Sequence, residues 1–386
     1  WPSDICILAL SESGEPRGEP RPITNDTKTI MGFDWTADGR ALIFASDRGG
    51  VHALWRVAAS GGEPERLGVG SDFCLWPSVS RRSGRLAYVK ATFDYNIWRV
   101  AAPGADAARQ SAPEKITQSP LLEISPTLSP DGGRVAYAGS SSGEFSIWTS
   151  RIDGSQPVRL SLGLWPQWSP DGRQIAFLKA GGSGSNKTPR IFCVDADGGS
   201  PRRLTQGDFI EMYPAWSRDG LWFYFYSAHG EQYGVWKVPA GGGQPELVLP
   251  HVQWMKESVD GAHFFYAERG QASDVREYGS SFAGLGLWRV PAAGGEPAPV
   301  MEISSPIWTL SASGVYILDP YAEGGPAIEF FPFAGDKRSG VVRLGGGPED
   351  YFFTYERLDV SADGRWLVYS YRDRTEADIM LVENFR

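Results

Sequence analysis

The most constraining feature of this 386-residue chain is a short turn that recurs eight times. It reads WTADGR (35–40), VSRRSGR (79–85), LSPDGGR (128–134), WSPDGR (168–173), WSRDG (216–220), ESVDG (257–261), LSASG (310–314) and VSADGR (360–365). Its last glycine falls at 39, 84, 132, 172, 220, 261, 314 and 364, so the repeat length is 40 to 53 residues. A period of that size means that one supersecondary unit is copied along the chain. In Asp-Gly or Ser-Gly, the first side chain bonds its own turn and the glycine tolerates positive φ, which closes a hairpin. The strands that follow (LIFAS, LAYVK, VAYAG, IAFLK, FYFYS, FFYAE, LVYSY) are β-branched and aromatic, as strands buried on both faces should be.

Further parts recur in the same order. After most turns comes an apolar strand: ALWRV (53–57), NIWRV (96–100), SIWTS (146–150), RIFCV (190–194), GVWKV (234–238), GLWRV (286–290) and DIMLV (378–382). Most are followed by a Gly-rich turn and a short fourth strand, as in GGEPERL (61–67), GSQPVRL (154–160), GGSPRRLT (198–205) and GGEPAPV (294–300). Proline at the start of an outer strand costs little, because the N–H it lacks faces no neighbour. Four strands every 40 to 50 residues make a propeller blade, and no amphipathic helical period interrupts them. The expected fold is all-β, a β-propeller of four-stranded antiparallel blades. Blade units are expected near 31–68, 74–117, 123–161, 164–205, 211–249, 254–301, 303–345 and 351–385, with 4–24 a partial blade. Seven or eight blades are expected in one propeller spanning 1–386, read as part of a longer chain.

The core W-S-P-D-G-R-x-I-A-F (168–177), with its I-W-x-V and G-G-x-P-x-x-L-T companions, resembles the WD40-like PD40 repeat of TolB-type propellers. The stretches GLWRVPAAGGEP and GPAIEFFPF and the ending ADIMLVENFR (377–386) also resemble large modular bacterial regulators, familiar from acidobacteria. In those, such repeats follow a winged-helix DNA-binding domain or a Ser/Thr kinase domain. The resemblance implies a non-enzymatic sensory or scaffold module that binds a ligand or a protein. The alternative is a stand-alone periplasmic TolB-like scaffold, and a third reading is the gating propeller of a serine peptidase. The favoured location is the periplasmic side of a membrane-anchored protein, with the cytoplasm as the alternative.

Composition narrows the partners. A net charge of −9 without a basic block argues against nucleic acid as a direct partner. No run of 18 apolar residues is present to span a bilayer. Three scattered cysteines (Cys6, Cys74, Cys193) make neither a disulfide framework nor a zinc site, and His52, His229, His251 and His263 lie in four different units. No metal and no cofactor is expected.

Apparent catalytic motifs dissolve on inspection. GSSSG (139–143) would make Ser141 a nucleophile, but a strand rather than a helix follows it. GGSGSNKT (181–188) lacks the glycine before lysine of a phosphate loop and the helix that should follow. The turn aspartates Asp38, Asp131, Asp171, Asp219, Asp260 and Asp363 read as turn residues rather than a carboxylate ring, their number following from the repeat. Trp55, Trp98, Trp148, Trp236 and Trp288 share one third-strand position and read as packing residues. What survives is one face, where each fourth strand passes to the next first strand. There Trp76, Trp165, Tyr213 and Trp254 accompany Asp72, Asp208 and Glu211, an aromatic and acidic mouth. It suits a protein or peptide partner, or a small cationic or sugar-like ligand. The competing account is solvated loops beside core aromatics.

Overall fold

The computed structural model describes residues 2–26, 28–49, 52–70, 73–103, 112–119, 122–140, 144–180, 188–205, 209–229, 232–269, 285–334, 338–351 and 358–385. The regular elements among the described residues are all strands, joined by turns and loops, apart from one 3-10 turn at Pro348–Asp350. No helix among the described residues is long and apolar enough to cross a membrane. The chain divides into two compact units, one of residues 1–94, 141–144 and 374–386, the other of 95–140 and 145–373.

The larger unit contains the four-stranded antiparallel blades that the repeat calls for. One is Leu164–Trp168, Gln174–Ala180, Pro189–Asp195 and Arg202–Arg203. The next is Glu211–Trp216, Trp222–His229, Gln232–Pro239 and Glu246–Pro250. Blades running from Leu122 to Leu162, Met255 to Glu302 and Trp308 to Arg343 follow the same order. A further blade is composite. Its inner strand Leu358–Val360 and the first half of Trp366–Val382 come from the C-terminal repeat. Its outer strands, the last part of Arg85–Ala101 and Glu114–Lys115, come from the repeat at 74–117. The Ala102 N–H donates to the Arg365 carbonyl at 2.9 Å across this junction. The composite blade is packed on both sides. Val100, Leu358, Leu367 and Tyr369 join Tyr316, Ile328 and Phe330 of one neighbour, while Ile97, Ile116 and Val368 join Leu128, Val135 and Tyr137 of the other.

Carboxylates and hydroxyls tie the inner strands together. Asp359 accepts from the Leu128 N–H at 2.9 Å and from the Thr127 hydroxyl at 3.0 Å, and the Lys256 ammonium, 4.0 Å from Asp359, also donates to Thr309 at 2.7 Å.

The smaller unit holds one blade of Lys28–Trp35, Ala41–Ser46, Ala53–Ala58 and Glu65–Arg66, with Pro2–Ser3 added at its inner edge. It also holds the hairpin Cys6–Leu10 with Pro16–Pro22, and a sheet of Cys74–Ser80, residues 85–94 and residues 374–382. The repeats at 74–117 and 351–385 are therefore each divided between the units. In both, the second and third strands run on as a single strand of 17 residues, Arg85–Ala101 and Trp366–Val382, instead of folding back on each other.

The turn motif behaves as a Ser/Thr-x-Asp-Gly device. Ser129, Ser169, Ser217, Ser258 and Ser361 each donate their hydroxyl to the aspartate two residues on, at 2.5–2.6 Å. The same oxygen takes the N–H two residues further, for example Arg173 to Asp171 at 3.0 Å. These bonds hold the carboxyl groups of Asp131, Asp171 and Asp219 below the usual carboxylate range. Successive turns also nest, Gly172 lying under Pro130 and Gly220 under Pro170.

Candidate functional site

The candidate mouth is built where the first strand of each blade begins, and its geometry follows from a residue–proline pair. Ser125, Trp165 and Tyr213 each precede a proline, and each has φ between 53° and 56°. Each lies at a shift of register in the pairing with the second strand: between Ile124 and Thr127, Leu164 and Gln167, and Met212 and Ala215. An extra residue with left-handed φ is a β-bulge, which bends the strand and re-aims one side chain. Such a conformation costs a non-glycine residue about 1–2 kcal/mol, so packing must hold it.

For Trp165 the packing is evident. Its indole is only 3% exposed and lies among Ala176, Leu178, Phe223 and Phe225, stacked on Tyr213 at 4.8 Å between ring centres. Tyr213 is half-buried and also meets Tyr226 edge-on at 6.4 Å. Trp254 occupies the aligned position of the next blade without the bulge, half-buried against Trp308 at 4.6 Å. Trp76 lies in the smaller unit, has φ of 47° and precedes Pro77. It is 55% exposed and covers the backbone of Gly32, where an added Cβ would come within 3.0 Å of it. The aromatics at aligned positions thus range from core to surface. Asp72 and Asp208 lie outside the described residues.

Glu211 is buried. It accepts the Ile191 N–H at 3.0 Å and the Thr205 hydroxyl, so it fastens the third and fourth strands of the preceding blade to the next first strand. Burial pushes its pKa up, opposed by those two hydrogen bonds. Glu123, buried at the aligned position, accepts from Ser119 at 2.7 Å. Nearby, Arg190 donates to the carbonyl of Phe209.

At this end of the 211–250 blade the exposed groups are ones the sequence reading did not single out. Phe209 and Ile210, in the link leading to Glu211, are 44% and 51% exposed. Tyr233, exposed at the start of the third strand, packs edge-on against His251 at 4.8 Å. Two adjacent apolar residues beside an acidic link were the available signal. Ser141 and the stretch 181–187 fall outside the described residues, and the described residues hold no cluster of three or more His, Cys, Asp or Glu placed to bind a metal. Burial pushes the Cys193 thiol up to about 11.

Against this geometry, a model of the TolB beta propeller domain, PD40, matches residues 83–277. The chain belongs to the TolB β-propeller (PD40) family. Among curated proteins, an uncharacterized protein of Agrobacterium fabrum is 32% identical over 127 residues, 31% of this chain and 41% of that protein. A TolB homolog of Chlorobium luteolum is 29% identical over 207 residues, 51% of this chain and 44% of that protein. An uncharacterized peptidase of Bacillus subtilis, YuxL, is 30% identical over 105 residues, 25% of this chain and 16% of the peptidase. The chain thus spans under half the length of these relatives.

Proposed function

We propose that this PD40 chain is a protein-binding scaffold of the TolB type, and that the 211–250 blade presents its contact surface. The observation that carries the reading is the exposed Phe209–Ile210 pair, leading into the strand that holds the half-buried Tyr213, with Tyr233 exposed on the third strand of the same blade. Apolar and aromatic side chains that stay exposed, here in a link directly joined to the first strand of a blade, are what anchors of a binding surface require. A net charge of −9 favours a partner segment that mixes apolar with basic residues.

The similarity to a TolB homolog favours the stand-alone scaffold. The regulator reading, with this chain as sensory module behind a kinase or winged helix, rests on the resemblance of 377–386 and two other stretches. We read the segment itself as non-enzymatic. Its most numerous repeated carboxylates, those of the turns, are each committed to a hydroxyl and a backbone N–H of their own turn.

The test compares bacterial envelope proteins retained by the immobilised chain with those retained by a Phe209→Ser/Ile210→Ser variant. Phe333→Ser, which changes an apolar residue exposed elsewhere in the same unit, is the control. The expected result is a set of proteins lost with the double variant and kept with the control. Equal retention by all three would overturn the assignment of the surface.

A further inference from the structure

We propose that a cleft between the 164–203 and 211–250 blades, at the turn end of their first strands, binds a small guanidino acid. Such a compound carries a guanidinium at one end and a carboxylate at the other. The preceding gap between blades shows how the repeat closes the same space with a side chain of its own. Arg134, whose N–H donates to the turn hydroxyl of Ser129, reaches from the 122–162 blade to the 164–203 blade. Its guanidinium lies over the Trp168 ring, 5.2 Å from the ring centre, and donates to the Ala196 carbonyl at 2.8 Å and to Asp197 at 3.0 Å. Ile152, at the position of Ala196 one blade earlier, also accepts from a guanidinium, that of Arg99 at 3.2 Å.

Between the next two blades the frame is the same and the side chain that fills it is shorter. Trp216 stands directly before its turn serine, as Trp168 does. Ala240 stands where Ala196 does, the two N–H groups donating alike to the Leu221 and Arg173 carbonyls just before the second strand. The position of Arg134 is held by Gln174, whose N–H makes the same bond to its turn serine. The amide of Gln174 stays within its own blade, donating to Asp195 at 3.2 Å and accepting from Arg202 at 3.3 Å. The result is a cleft of about 480 Å³ that Trp216, Ala240, Gln174, Asp171, Asp219 and Arg202 help to line. That size suits a small molecule.

The charges around the cleft specify the ligand. Asp171 and Asp219 each give one oxygen, Oδ1, to their own turn, and those bonds keep both carboxylates ionised. Neither forms an ion pair among the described residues, and Arg202 pairs with no carboxylate there. Gly241 follows Ala240 where Asp197 follows Ala196, so the chain brings no carboxylate of its own to that point. A ligand guanidinium laid on the Trp216 ring, as Arg134 lies on Trp168, would donate to the Ala240 carbonyl and be balanced by the two aspartates. Arg202 would then receive a carboxylate at the other end of the ligand. L-arginine is the simplest compound with both groups.

The experiment titrates the full chain with L-arginine by calorimetry, beside citrulline, which lacks the guanidinium charge, and agmatine, which lacks the carboxylate. One saturable site for L-arginine is expected, with agmatine at least fivefold and citrulline at least tenfold weaker. Gln174→Arg supplies the side chain that fills the preceding gap. It should weaken arginine binding at least tenfold and melt no lower than wild type. Arg202→Gln, on an exposed outer strand, should bring arginine down to the affinity of agmatine and leave agmatine unchanged. This second variant keeps the test decisive should Gln174→Arg fail to fold. No saturable binding of L-arginine at millimolar concentration overturns the proposal, as does citrulline or agmatine binding as tightly as arginine. Arginine affinity unchanged in a folded Gln174→Arg variant, or in Arg202→Gln, overturns it as well.

Discussion

Asp359 is the most informative single residue for the closure of the larger unit. Its carboxylate accepts from the Leu128 N–H at 2.9 Å and the Thr127 hydroxyl at 3.0 Å, joining the inner strand of the composite blade to that of the 122–162 blade. Hydrogen bonds to a charged group contribute about 1.5–3 kcal/mol each, and a backbone N–H left without its acceptor costs about 1–3 kcal/mol. The side chain is a quarter exposed, so water replaces part of what is lost. Asp359→Ala should therefore destabilise the chain by about 2–3 kcal/mol. At about 2–4 °C per kcal/mol for a unit of this size, the melting temperature should fall by about 5–10 °C. Thermal unfolding followed by tryptophan fluorescence reads the shift, and amide exchange should show faster exchange at Leu128. Asp197→Ala, at a side chain 95% exposed, is the control. If Asp359→Ala melts within about a degree of that control and the Leu128 amide is no less protected, the carboxylate does not hold the seam and the reasoning fails.

Two other substitutions probe the same framework. A Cβ at Gly154, where φ is 81°, would lie 1.9 Å from the Ile116 carbonyl oxygen, whereas one at Gly198, with φ of 105°, meets nothing within 4 Å. Gly154→Ala should therefore cost clearly more than the roughly 1–2 kcal/mol of backbone strain expected for Gly198→Ala, and urea midpoints of the two variants should rank in that order. Glu211 has its pKa raised mainly by burial, so its protonated form is the one the fold favours. The stability it contributes is complete below the ordinary glutamate range and is lost as pH rises through the raised value. Glu211→Gln should compare less favourably with wild type at pH 4 than at pH 7 in melting temperature, and an unchanged difference would contradict that assignment.

Much of the blade was legible because its signals are local. Ser-x-Asp-Gly at 169–172 needs only its own residues to close, and the structure shows the hydroxyl, the carboxylate and the N–H bonded as the pattern requires. The depth of Trp165 was not legible, since its burial depends on the bulge before Pro166, and the alternation of a strand gives no sign of one residue held at positive φ. The division of the repeats at 74–117 and 351–385 was hidden for another reason. LAYVK and LVYSY are interchangeable second strands, and NIWRV and DIMLV interchangeable third strands. Local pattern cannot say which second strand takes which third strand. Phe209 and Ile210 escaped notice because acidic and first-strand aromatic residues drew the reading to the positions on either side of them.

The composite blade has a consequence for the order in which the chain can mature. One of its cross-strand contacts, Asn96 to Asp373 at 2.6 Å, joins residues 277 positions apart. On a ribosome, the five blades between 122 and 343 can each form from neighbouring segments as they emerge. The outer strands at 95–115 must wait for their inner partners until residues 358–373 have been made. Bringing such distant segments together carries the largest loop-closure entropy in the unit. During that interval Ile97, Val100 and Ile116 are synthesised but uncovered, and this is when the nascent protein most needs protection from its neighbours.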